Sequence, residues 1–141
     1  DIRDVKAADL DAVILPGGFG AAKNLSDFAV SGSDAEVHSE VTRLLNEMVD
    51  GGKPVGAICI APATLTKALS AKQPEVTIGS AKDTAAAIEA MGGKHVVCAV
   101  EEAHVDQANK IVTTPAYMLG PGIKDVAKGI EKLVSQVLAM A

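Results

Sequence analysis

The sequence predicts an α/β domain with a mostly parallel β-sheet and helices on both faces. Three observations carry this expectation. Short apolar runs of the kind buried strands show, Asp11-Ala12-Val13-Ile14-Leu15 and Pro54-Val55-Gly56-Ala57-Ile58, alternate with segments of helical periodicity. Both runs end in small residues or glycine, as strands do where they turn sharply into helices. Aromatic residues make up only 2% of a chain that is 48% hydrophobic. The core must therefore come from Ala, Val, Ile and Leu, the residues of strands buried on both faces.

The elements follow in order. Asp1 to Val5 is charged and short, a small strand or a loop. Asp11 to Leu15 is the first clear strand, and it runs into Gly17-Gly18-Phe19-Gly20. Ala21 to Val30 reads as a short helix or a wrapped turn, broken by Ser31-Gly32-Ser33-Asp34. Asp34 is the expected N-cap of a helix whose apolar face is Val37, Val41, Leu44, Leu45 and Met48. Gly51-Gly52 ends that helix. The run from Pro54 leads into a second helix, Ala63 to Leu69, and Gln73-Pro74 breaks the chain again. Val76 to Ile78 is a short strand. Asp83 is expected to cap a helix from Thr84 to Met91, ended by Gly92-Gly93. His95 to Val100 reads as a strand. His104-Val105-Asp106 and Lys110-Ile111-Val112-Thr113 flank Gln107-Ala108-Asn109 as a hairpin, with Asn suited to the left-handed turn position. A final helix runs from about Gly122 to Met140.

The length of 141 residues suits one domain. The net charge of −5 and the scarcity of aromatic residues argue against a nucleic-acid partner. No uncharged run is longer than Pro54 to Thr66, which is well short of the roughly 20 apolar residues that span a bilayer, so no membrane partner is expected. Cys59 and Cys98 do not make a disulfide framework, and the expected setting is a reducing cytoplasm. The chain opens almost at once on a strand of central character. A complete fold of this kind has strand–helix units of roughly 30 residues ahead of it. Residues 1–141 are therefore expected to form a single, N-terminally incomplete domain, with an open hydrophobic sheet edge.

The chemistry centres on Cys59, which stands where strand turns into helix. The N–H groups and dipole of the following helix favour a thiolate there, as at a nucleophile elbow. Inert packed cysteines are common, and this stretch alone leaves the two readings equally open. The glycine-rich loop raises the first, because two glycine-bearing strand ends can frame one pocket with backbone donors. Gly-Gly-Phe-Gly is not the dinucleotide fingerprint and lacks the lysine of a phosphate-binding loop, which argues against nucleotide binding.

Leu15-Pro16-Gly17-Gly18-Phe19-Gly20-Ala21-Ala22-Lys23-Asn24-Leu25-Ser26, Cys59-Ile60-Ala61-Pro62-Ala63 and Ile111-Val112-Thr113-Thr114-Pro115-Ala116-Tyr117-Met118 resemble the ElbB-type proteins. These belong to the ThiJ/PfpI, class I glutamine amidotransferase-like superfamily. The resemblance covers essentially the whole chain and implies a flavodoxin-like three-layer sandwich and a homodimer. The ElbB branch carries an isoprenoid-biosynthesis or lycopene-enhancing label and is credited with a cofactor-independent glyoxalase activity. Cys59 matches the family's nucleophile. The N–H groups of Gly18 and Ile60 match its oxyanion donors. Pro115, Ala116 and Tyr117 match the loop beside the pocket, which Gly17 also borders; Lys23 and Asn24 either border it or cap a turn. The family's glutamate from an early strand has no counterpart here. Where the wider superfamily often has histidine after the cysteine, this chain has Ile60.

The leading expectation is a lyase-type conversion of small 2-oxoaldehydes, glyoxal or methylglyoxal, to 2-hydroxy acids through a Cys59 hemithioacetal. It calls for neither metal nor organic cofactor. Its general base is the family glutamate or, within this chain, His104. The alternatives are a binding or redox-sensing module that uses an oxidisable Cys59, and an amidohydrolase or amidotransferase-like enzyme, which needs a histidine near the thiol. Cys98 reads as a packed hydrophobe, His38 as solvated and His95 as the start of a strand. The acidic run Glu101, Glu102, His104 and Asp106 alternates between strand faces and lacks a second ligand group with metal-site spacing.

Overall fold

A computed structural model describes residues 1–120 and 122–141. Its main sheet has the order β1 (Val13–Leu15), β2 (Val55–Ile58), β6 (Ile111–Thr114), β5 (His104–Asp106). β1 and β6 both run parallel to β2, with Val13 beside Val55 and Val55 beside Ile111. β5 runs antiparallel to β6 as the first arm of a hairpin. A parallel pair, β3 (Glu75–Val76) with β4 (Lys94–His95), lies alongside.

Every residue of β2 and β6 is buried, as expected of strands covered on both faces. Alternation splits the core in two. Leu15, Val55, Ala57 and Ile111 face the layer holding α3 (Ser39–Asp50) and α4 (Ala61–Ala68). Ile58 and Val112 join Val126, Leu133 and Val137 of α6 (Ile123–Met140) on the other side. The result is the flavodoxin-like sandwich. α6 rides close to the sheet because it presents glycine. A Cβ at Gly129 would stand 2.3 Å from the Val100 carbonyl oxygen and 2.7 Å from the Thr114 hydroxyl.

Several expectations need correction. Asp34 caps no helix and lies in a 3-10 turn, Gly32–Asp34. α3 starts at Ser39 with His38 as N-cap, its Nδ1 accepting from the Glu40 N–H. The intervening residues are held extended by a bridge between Ser26 and Val37, by the Asp27 N–H donating to the Glu36 carbonyl, and by the Glu36 N–H donating to the Asp27 carboxylate. The segment after the glycine loop divides into α1 (Phe19–Asn24) and α2 (Phe28–Ser31). α5 spans Lys82–Ala90, which puts Asp83 in its first turn rather than at its cap.

The strand expected over His95 to Val100 stops at His95, so that residue ends a strand. Its partner β3 is only two residues long, because the Thr77 N–H turns away to the Thr113 hydroxyl. Cys98 is half-buried in the irregular segment beyond. In the hairpin the left-handed residue is Lys110, at φ 53°, while Asn109 donates its side-chain amide to Asp106. Asp1 to Val5 contains a 3-10 turn, Ile2–Asp4. β1, central in character, is the edge strand of this sheet, with Ile14 36% exposed.

Candidate active site

Cys59 stands at the corner between β2 and α4 with φ 63°, one of four non-glycine residues among those described in the left-handed region. A left-handed L-residue costs on the order of 1–2 kcal/mol. The corner holds because the Cys59 N–H donates to the Thr114 carbonyl at 3.0 Å, extending the β2–β6 pairing one residue past the strand. Pro62 in the first turn of α4 then fixes the helical direction. The thiol is left half-buried.

The glycine loop is built against this corner. Gly17 and Gly18 have φ of 84° and 80°. A Cβ at Gly17 would meet the Ile58 carbonyl oxygen at 2.3 Å and the Cys59 Cβ at 3.0 Å, whereas one at Gly18 would meet nothing within 4 Å. Gly17 thus lets β1 pass the elbow, and Gly18 turns the chain into α1.

Cys59 lines two cavities. The first, of about 510 Å³, includes Gly18, Phe19, Phe28, Ile60, Asp83 and Met118 in its walls. The second, of about 630 Å³, includes Pro16, Gly17, Tyr117 and Ile130. Gly18 and Ile60 are the N-caps of α1 and α4. Among the described residues, neither of their N–H groups has a backbone carbonyl acceptor. Two free amide donors therefore border the same cavity as the thiol. Among the described residues, only Asp83 and Tyr117 share these cavities with Cys59 as ionisable side chains.

The other expected site residues are placed as follows. Pro115 and Ala116 are buried in the turn after β6, Ala116 at φ 44°, and that turn presents the exposed Tyr117. Asn24 is exposed at the end of α1 and lines neither cavity. Lys23 lies over the Phe19 ring, 4.6 Å from its centre. His104 also lines neither cavity. It is on β5, its Nε2 is 3.5 Å from Glu75 Oε2, and the structure does not bring it to Cys59. His38 caps α3, and His95 accepts at Nε2 from the Ile78 N–H. Glu101 and Glu102 pair with Lys128 and Lys132. Burial pushes the Cys98 thiol up from its ordinary value, and the neighbouring Glu102 adds to that.

Asp83, Thr84 and Ala87 were not expected at the site. They enter through α5, which forms part of the cavity wall. Only the spacing Asp83-Thr84-x-x-Ala87, one face of a helix turn, hinted at it.

The chain is similar to named proteins over nearly its whole length. The chain is 48% identical over 99% of its length to the human protein named glutamine amidotransferase-like class 1 domain-containing protein 3, mitochondrial, covering 55% of it. It is 46% identical to the Rattus norvegicus ES1 protein homolog, mitochondrial, again over 99% of this chain and 55% of the relative. The chain thus spans about half the length of these relatives. A solved Ehrlichia chaffeensis structure, described as an isoprenoid biosynthesis protein with amidotransferase-like domain, superposes with a TM-score of 0.88. Its identity is 31%, over 99% of this chain and 63% of that one.

The cytoplasmic setting expected from the cysteines is corrected by these relatives, whose names place them in mitochondria. Two unpaired thiols do not by themselves choose a compartment. A family model described as DJ-1/PfpI matches residues 1–118, the whole stretch that builds the glycine loop, the cysteine corner and the Tyr117 turn. On that match and these identities, the chain is a member of the DJ-1/PfpI family.

Proposed function

We propose that the chain carries the cysteine site of a cofactor-independent, glyoxalase-like enzyme of the ElbB type, acting on 2-oxoaldehydes. The observation that supports this best is the cavity in which the half-buried Cys59 thiol meets two unpaired amides, Gly18 N–H and Ile60 N–H. The Cys59 sulfur adds to the aldehyde carbon, forming a C–S bond and turning the carbonyl oxygen into an oxyanion. Each amide donor aimed at that oxygen is worth about 3 kcal/mol of barrier. A base then takes the proton from the same carbon, and a proton is returned to the neighbouring carbonyl carbon. The aldehyde carbon is thereby oxidised to a thioester while its neighbour is reduced to an alcohol. Water cleaves the C–S bond, releasing the 2-hydroxy acid and the thiol. Electrons balance within the substrate.

The base falls to Asp83, the carboxylate in this chain that borders the Cys59 cavity. The amide-cleaving alternative is less well supported, because none of the three histidines lines a cavity with Cys59. The mitochondrial names of the relatives make that compartment the proposed one for this protein too.

The deciding experiment measures 2-hydroxy acid formation from glyoxal and methylglyoxal by the wild-type chain and by Cys59→Ala. The expected result is turnover that Cys59→Ala abolishes, with circular dichroism unchanged. Turnover at the wild-type rate in Cys59→Ala overturns the proposal.

A further inference from the structure

The cavity is far larger than the smallest 2-oxoaldehyde. Glyoxal has four heavy atoms, which fill at most about 120 Å³ at the roughly 30 Å³ a water molecule occupies. The cavity beside Cys59 measures about 510 Å³. Its walls are apolar: Phe19, Phe28, Ile60, Ala87 and Met118. Phe28, Ile60 and Met118 also pack against the core, so those walls are set before any ligand arrives. Ala29 and Ala87 keep it wide where larger side chains would close it. The charged side chain on the lining is Asp83, an acid.

From this we infer that the substrate class is a neutral 2-oxoaldehyde bearing an apolar substituent, of phenyl or short branched alkyl size, rather than glyoxal itself. The inference rests on the glyoxalase-like reading of the site and adds what that reading leaves open. The reacting carbonyls lie at Cys59, between the Gly18 and Ile60 amides, and the substituent lies along Phe19 and Phe28 toward Ala87. Water there gains little from the walls, so an apolar group that displaces it is favoured in proportion to the area it covers. Aldehydes carrying a carboxylate are disfavoured by Asp83.

The test separates binding from turnover. Alkylation of Cys59 in the 141-residue chain by iodoacetamide is followed by peptide mass spectrometry, with phenylglyoxal or glyoxal as protecting ligand. Each protecting concentration is divided by the one measured on N-acetylcysteine, which removes the intrinsic reactivity of the aldehyde. Phenylglyoxal is expected to protect Cys59 at a normalised concentration about tenfold lower than glyoxal, or better. Ala87→Leu, which fills the cavity from α5, is expected to bring the two within about threefold. Ala29→Phe does the same from an exposed position that tolerates a large side chain. Equal protection by the two aldehydes, or a preference untouched by both variants, overturns the inference. Formation of mandelate from phenylglyoxal is measured in parallel. Selective protection without mandelate upholds the cavity's preference and overturns the glyoxalase-like reading. Equal turnover of both aldehydes without selective protection upholds that reading and overturns the inference.

Discussion

At the scale of single residues, the site depends on two adjacent glycines that do different work. Both have positive φ, and Gly18, with ψ 162°, lies in a region essentially reserved to glycine, so any side chain costs about 1–3 kcal/mol in backbone strain. At Gly18 the space beyond is open, and that strain is the whole cost. At Gly17 a methyl group would also press into the Ile58 carbonyl and the Cys59 Cβ, the corner that carries the thiol. Gly17→Ala is therefore expected to lower the denaturation midpoint clearly more than Gly18→Ala. It should also change the rate at which Cys59 reacts with iodoacetamide, since the elbow must shift. Matching losses in the two variants, with the thiol rate unaltered, would contradict this account. Asp83 calls for a kinetic test. Asp83→Asn keeps the shape and removes the base, so kcat for 2-oxoaldehyde turnover should fall about 100-fold, as is usual when an acid–base group is lost. The thermal midpoint should hardly move, because Asp83 is exposed. A kcat within threefold of wild type would remove Asp83 from the mechanism.

At the scale of elements, α6 offers a case where helix propensity gives the wrong sign. Glycine inside a helix costs roughly 1 kcal/mol relative to alanine, so Gly129→Ala would stabilise an isolated helix. In the fold the same methyl would stand 2.3 Å from the Val100 carbonyl oxygen, which backbone cannot easily yield. The variant is expected to be destabilised, with α6 lifted from β6, and chemical denaturation reads the sign directly. An increase in stability would mean the helix does not ride on that carbonyl. This contrast also shows what could be read in advance. The buried strands, the hairpin, α6 and the cysteine corner were legible, because each is written in a local run such as Val55 to Ile58 or Ile111 to Thr114. The start of α3 was not, because Asp34 is as good a cap as any until the Ser26–Val37 bridge draws the chain straight. The strand-like side chains of Val96 and Val97 predict a longer β4, but the pairing ends at the bond from the Val96 N–H to the Val76 carbonyl, because the Thr77 N–H turns away to Thr113. At the site, Cys59, Gly17, Gly18 and Ile60 are sequence neighbours of strand ends and could be named. Asp83 arrives from a helix 24 positions beyond Cys59, and only the placement of α5 in the cavity wall reveals it.

At the scale of the whole molecule, the ionisable groups set how stability varies with pH. Burial holds His95 below its ordinary value of 6.5, against smaller upward pulls from Glu89 and the Gly79 backbone. Its Nε2 accepts from the Ile78 N–H, an interaction that a protonated ring cannot keep. Below about pH 6.5 the unfolded chain thus takes up a proton that the folded chain resists, and stability falls as pH falls. The carboxylates act in the same direction but lower on the scale. Burial alone would raise Asp106, yet the Asn109 amide and the N–H groups of Glu75, Asn109 and Ala108 outweigh it and hold the carboxyl below 3.8. The Glu36 N–H and the Ser31 hydroxyl hold Asp27 down, and Lys94 holds Glu75 down. The stability these groups contribute is present above the ordinary carboxylate range and is lost as pH falls through their folded values. Lys94 lies above its ordinary 10.5 through its bond to Glu75, so its contribution lasts until strongly alkaline pH. The expected profile of the urea midpoint is flat from about pH 7 to 9, with one decline below about pH 6.5 and a second below about pH 4. His95→Gln, which keeps an acceptor for the Ile78 N–H, should erase the first decline and leave the second. A wild-type midpoint that stays level from pH 7.5 to 5 would show that His95 titrates alike in the folded and unfolded chain, and that the β3–β4 corner is open to water.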